Sequence, residues 1–162
     1  MPVLVDSWLW VHQLRRSGDP AKRDRVHAFL EGGESAWCPV VRLELWRGVT
    51  NDAERKTLRR YEALLPDYEI SAEVWQRSIQ LADRARASGV TVPLADLLIF
   101  SCARIHGLEL AHDDSHFDEL MKTRAVMRLG PRFRRLAAPH HAATLDPASV
   151  LRSDSLAQRQ GA

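Results

Sequence analysis

Only two cysteines, Cys38 and Cys102, occur in 162 residues, and they form no Cys-x-x-Cys pair. That excludes a zinc ribbon and a dense disulfide framework, and leaves two buried thiols of a reducing compartment. No apolar run approaches the ~20 residues of a membrane span. The opening "MPVLVDSWLW" has no basic n-region and is interrupted by Asp6, so it does not read as a signal peptide, and the cytoplasm is the expected location. Neither sign of charge dominates: 23 Lys and Arg against 21 Asp and Glu give a formal net charge of +2. The chain is therefore no basic nucleic-acid arm, and any basic patch must be local. A glycine-rich phosphate loop is missing, and so is any Ser/His/Asp or Cys/His arrangement that would supply a nucleophile. Hydrolytic chemistry, if present, must then rest on a metal ion.

What is there suits one folded domain, with 45% hydrophobic and 27% charged residues. "PVLVD" is a β-branched apolar run that reads as a buried strand ending at Asp6. "SWLWVHQLRR" and "AKRDRVHAFLEGG" read as helices, "SAWCP" as a brief strand, and "VVRLELWRGV" and "TNDAERKTLRRYEALLP" as two more helices, the second capped by Asn51. "YEI" reads as a strand fragment. "SAEVWQRSIQLADRARASG" is the clearest helix, with a stripe of Val74, Ile79, Leu81, Ala82 and Ala85 and a stop at Gly89. "VPLADLLIFSCARIHG" starts near Pro93 and stops at Gly107. "LELA" reads as a strand, "SHFDELMK" as a short helix and "AVMRL" as a last strand. Such alternation predicts an α/β sandwich around a mostly parallel sheet, with ligands at the carboxyl ends of the strands. The pattern breaks down after Gly130. Residues 1–130 are expected to form the domain, and 131–162, rich in Ala, Pro, Ser and Arg, a loosely ordered C-terminal tail.

Acidic residues fall at the functional edge of this plan. Asp6 closes the first strand, Asp114 lies just beyond "LELA", Asp96 sits in the first turn of a helix, and Glu44 is flanked by Val41, Leu43 and Leu45. Each has an ordinary explanation: Asp6 could cap the helix starting at Ser7, Asp96 could complement a helix dipole, and Glu44 could pair with Arg47 one turn on. Jointly those explanations are weaker. Four converging carboxylates raise one another's pKa, and a divalent cation with hard oxygen ligands relieves them together.

The order and surroundings of these residues also resemble a family. "LVDSWLW", "ELWRG", "PLADLLIFSCARIHG" and "LELAHDDSHFDEL" resemble, in order, the acidic blocks of PIN domains, and most closely those of VapC-type toxins of bacterial toxin–antitoxin pairs. The resemblance covers residues 1 to about 130 and implies a three-layer PIN-like sandwich, the central sheet flanked by helices. It makes Asp6, Glu44, Asp96 and Asp114 the catalytic and metal-binding quartet, with Mg²⁺, or Mn²⁺ as the alternative, as cofactor. It further implies an endoribonuclease acting on RNA, a homodimer, and a small antitoxin that covers the active site. Ser7 is placed to orient Asp6 or to contact a metal-bound water. Asp113, His116 and Asp118 are supporting candidates. One departure is Ala111, where many relatives carry Thr or Ser.

Rival readings are a non-catalytic PIN-like binding module and a housekeeping PIN nuclease. A phosphotransfer receiver domain needs an acidic pair after the first strand, and a haloacid-type phosphatase needs Asp-x-Asp where the chain reads Asp6-Ser7-Trp8. His112, Asp114 and His116 could ligate zinc, but too few nitrogen or sulfur ligands accompany them. The five tryptophans could stack on bases, although helical spacing favours core or interface. Arg15, Arg16, Lys22 and Arg23 could hold an RNA backbone or form a solvated helix face. A surplus of apolar helix surface at Trp8, Val11, Trp46 and Trp75 points to self-association or a partner helix.

Overall fold

The computed structural model describes residues 1–122 and the strand at 133–135. Strand β1 (Val3–Val5) is buried along its whole length, as befits a parallel strand covered on both faces. Asp6 then turns the chain into α1 (Ser7–Leu14). Helix α2 (Pro20–Glu31) starts with proline at its first position, where a missing N–H costs nothing, behind an Asp19 cap. Strand β2 (Ser35–Ala36) leads through Cys38 into α3 (Pro39–Gly48). Asn51 caps α4 (Asp52–Leu64) by accepting the Glu54 N–H at 3.0 Å. Then follow α5 (Ala72–Ala87), α6 (Leu94–Ile105), β3 (Glu109–His112), α7 (Ser115–Lys122) and β4 (Phe133–Arg135). Gly107, at φ 65°, makes the tight turn from α6 into β3 in a conformation that other residues resist.

The sheet order is β2-β1-β3-β4 and every pairing is parallel. The chain thus leaves β1 for β2 on one side and returns to β3 on the other. The reversal opens a crevice at the carboxyl ends of β1 and β3, the place where open parallel sheets bind ligands. Val5 is level with Ala111, and the Asp6 N–H donates to the Ala111 carbonyl at 2.9 Å, so Asp6 is fixed beside the end of β3.

Helix α6 is the central one: Leu97 through Ala103 are buried without a break, a helix covered all round. Asp96 is the first residue outside that stretch. The core joins β1 and β3 to Leu9 and Trp10 of α1, Val41 and Leu45 of α3, and Val74, Leu81 and Ala85 of α5.

Three details depart from the sequence pattern. The buried stripe of α5 runs Val74, Ser78, Leu81, Ala85, and Ile79 is 60% exposed. The helical period places residue 78, not 79, inward, and the serine is accommodated because its hydroxyl donates to the Val74 carbonyl at 2.9 Å. "YEI" forms no strand. A single bridge pairs Trp37 with Asp67, and the Tyr68 N–H donates to the Trp37 carbonyl at 3.0 Å. The strand expected at "AVMRL" lies outside the described residues, as does the tail from 136 onward, while β4 pairs with β3 from a stretch beyond residue 130.

Candidate metal centre

Asp6, a candidate site residue, is the N-cap of α1. Its Oδ2 accepts the Trp8 N–H at 3.2 Å, and its side chain is only 3% exposed. Burial pushes the Asp6 carboxyl up to about 7; the N–H groups of Trp8 and Ser7 oppose this, and the negative charges of Asp96 and Glu44 add to it. Ser7 is half-buried at the first position of α1 and reaches Asp6 through its backbone N–H.

Asp96, in the first turn of α6, leans toward the end of β3. Its Oδ2 is buried, makes no aligned hydrogen bond, and lies 3.1 Å from Nδ1 of His116. Burial raises its carboxyl to about 6; Asp114 and Glu44 raise it further and His116 opposes. Asp114, the second residue beyond β3, accepts the His116 backbone N–H at 2.9 Å and stands 3.0 Å from His116 Nδ1. One ligand atom each from Asp96, Asp114 and His116 lies within 4.8 Å of the others. Glu44 is half-buried on α3, adds its charge to both Asp6 and Asp96, and forms no ion pair with Arg47. Charge thus links Asp6 to Asp96 and Glu44, and Asp96 to Glu44 and Asp114, while the ligand group within 4.8 Å comprises Asp96, Asp114 and His116 without Asp6 or Glu44.

The supporting candidates separate. Asp113 is exposed and ion-paired with Lys22 of α2, outside the carboxylate cluster. Asp118 is half-buried in the first turn of α7. His116 joins the cluster directly, its ring between two carboxylates. His112 does not: it is buried against Phe117 at 5.1 Å, with Nδ1 3.2 Å from the Asp114 carbonyl. A zinc triad through His112 is thereby set aside. Arg23 is spent on structure, donating through Nη2 to the carbonyls of Arg15, Arg16 and Gly18 at 3.1–3.2 Å. Trp10 and Trp37 are core, Trp46 lies under Arg55 and Arg59, and Trp8 and Trp75 are exposed.

This donor set fits a divalent cation. Carboxylate oxygens are hard ligands, and here they are partly desolvated and held together against their own repulsion. The buried Asp96 Oδ2 without an aligned donor is the atom such an ion would satisfy.

A parallel-sheet α/β protein with a carboxylate cluster at the topological reversal of its sheet is the class that fold and site define. Residues 3–122 match the PIN domain, and the chain belongs to that family. Over 124 residues it is 28% identical to VapC ribonuclease Mb1587 of Mycobacterium bovis, covering 74% of this chain and 92% of that protein. The structure of VapBC2 from Rickettsia felis, bound to a DNA fragment from their promoter, shares the fold. Its TM-score is 0.60 at 18% identity, over 71% of this chain and 89% of that one. A toxin–antitoxin complex from Klebsiella pneumoniae gives a TM-score of 0.58 at 18% identity, over 71% and 88%.

Proposed function

We propose that the chain is a metal-dependent endoribonuclease, the toxin of a toxin–antitoxin pair, with Asp6, Glu44, Asp96 and Asp114 as its catalytic metal ligands. The observation that carries the reading is the buried Asp6 carboxyl, held near pKa 7 by desolvation and by Asp96 and Glu44, beside the Asp96–Asp114 pair in a PIN fold. Its relatives' names carry the ribonuclease activity, and VapBC and toxin–antitoxin neighbours support a small protein partner, an RNA substrate and a homodimer.

Bound there, Mg²⁺ (or Mn²⁺) supplies neutralisation of phosphate charge and a more acidic water. The chain's own residues prepare that site. The α1 N-terminus and the Trp8 N–H hold the Asp6 carboxylate in one orientation. The His116 N–H fixes Asp114, and the His116 ring spaces Asp114 from Asp96. Exposed Arg15 and Arg16, at the end of α1, offer charge to the RNA backbone. We assign the nuclease domain to residues 1–135 rather than 1–130, because β4 pairs with β3, the tail to 136–162 rather than 131–162, and the location to the cytoplasm. No helix among the described residues is long and apolar enough to cross a membrane.

The test is RNA cleavage by the purified chain with Mg²⁺ and with EDTA, alongside Asp96→Asn. Cleavage by wild type with Mg²⁺ alone, and none by the variant, is the expected outcome. Equal cleavage in EDTA refutes the metal mechanism. Growth arrest on expression, relieved by a small protein encoded beside it, tests the toxin role; unaffected growth with folded chain present favours a housekeeping nuclease.

A further inference from the structure

Trp8 stands two residues from Asp6 and is 50% exposed, although four other tryptophans were available to the core or to partners. Its backbone and its ring are both pinned. The backbone N–H is given to Asp6 Oδ2 at 3.2 Å, which fixes the point where the side chain leaves α1 relative to the carboxylate. The indole meets the His12 ring one turn on, edge to face, at 5.3 Å and 88°. His12 is itself fixed, because its Nδ1 accepts the Asp19 N–H at 3.0 Å.

His12, one turn along α1 from Trp8, brings this pair near the segment that follows β3. His12 is close enough to Lys22 and Asp113 to feel both charges, and Asp113 is the neighbour of Asp114. The Trp8–His12 pair thus starts two residues from Asp6, and α1 ends beyond it at the exposed Arg15 and Arg16.

The geometry points to Trp8 as a substrate-binding residue: its indole is the stacking platform for a nucleobase of single-stranded RNA next to the phosphate that is cut. This rests on the nuclease reading above and goes further, naming the residue that grips the substrate and one base as the group gripped. Every base has a π-face, so the platform is tolerant of sequence and needs the base to be out of a duplex. A fixed ring loses little freedom on binding. A protein partner would use the same surface differently, through apolar burial that does not depend on any base.

The experiment compares wild type, Trp8→Ala and Trp8→Phe on a short single-stranded RNA that wild type cuts with Mg²⁺. It repeats each on the same RNA with an abasic residue beside the cut. Stacking on an aromatic ring corresponds to about a 5- to 150-fold effect, so Trp8→Ala is expected to lower kcat/KM by roughly that factor, mainly through KM. Trp8→Phe restores most of it. On the abasic RNA, wild type falls to the level of Trp8→Ala, and the variant loses nothing more. Stabilisation by Mg²⁺ alone, read by thermal denaturation, stays the same in all three. Cleavage unaffected by Trp8→Ala overturns the assignment and leaves the nuclease reading intact. So does an equal loss by the variant on intact and abasic RNA, or a variant that keeps cleavage and escapes only its protein inhibitor. Absence of any cleavage by folded wild type with Mg²⁺ overturns the nuclease reading and the assignment with it.

Discussion

Asp6→Asn should make the metal-free protein more stable while destroying its activity. The Asp6 carboxyl goes from an ordinary 3.8 in the unfolded chain to about 7 in the fold. Between those values the folded state holds a proton that the unfolded state has released, so stability falls as pH rises from about 4 to about 7 and is level above that. At about 1.4 kcal/mol per pH unit the ionised carboxylate costs about 4 kcal/mol at pH 8, as a ceiling. Water entry and relaxation reduce this, and about 2 kcal/mol is a conservative floor.

Asparagine removes that cost and keeps what Asp6 does for the fold. Its side-chain oxygen still accepts the Trp8 N–H, and it caps helices as well as aspartate does. Its neutral amide also ends the repulsion that Asp96 and Glu44 exert on the Asp6 carboxylate. Thermal unfolding in EDTA at pH 8 should therefore show the variant melting roughly 5–12 °C above wild type. The gap should close as the pH is lowered toward 4. Adding Mg²⁺ should reverse the order, because only wild type gains binding energy from the ion. A variant less stable than wild type in EDTA at pH 8 would refute the claim that a desolvated, repelled carboxylate sits at residue 6. Retained RNA cleavage by the variant would refute its role as ligand.

Asp113 and Asp114 should behave oppositely: Asp114→Asn is expected to abolish cleavage, whereas Asp113→Asn, which loses a partly exposed pair with Lys22, should stay within a few-fold of wild type and cost about 0–1 kcal/mol. A steady-state assay with both variants decides it. Gly18→Ala should destabilise by several kcal/mol, on the order of 2–4, since its Cβ would fall 2.0 Å from the His12 carbonyl oxygen, a backbone atom that cannot step aside; chemical denaturation measures the loss. The chain should run as a dimer by light scattering at micromolar concentration. A clean monomer mass at that concentration counts against the dimer.

Why some of this could be read in the sequence and some could not follows from the range of the interactions. Element order was legible because its signals are local: apolar runs end at Asp6 and His112, glycines close α5 and α6, and Asn51 and Ser71 cap α4 and α5. Once the strands are parallel, their ends share an edge. Asp6 and Asp114 then become neighbours by topology alone, and Asp96 needs only its place in a first helical turn. Ile79 and "YEI" were misplaced because an apolar residue one step off the stripe, or a short β-prone run, is decided by which neighbours pack there.

The fate of Arg23, Lys22 and His116 was harder still to foresee. A basic residue beside a predicted nuclease site looks the same in sequence whether its guanidinium meets phosphate or, as in Arg23, three backbone carbonyls in a loop. A histidine two residues past an acid looks the same whether its ring faces solvent or, as in His116, stands between Asp96 and Asp114. Side-chain direction at a turn is set by a few hydrogen bonds whose partners come from distant segments. The carboxylates escape this ambiguity for a physical reason. Acids carried toward one edge by different elements raise the cost of ionising Asp6 and Asp96; the Trp8 and Ser7 N–H groups and His116 offset part of that cost, and a bound cation would offset more.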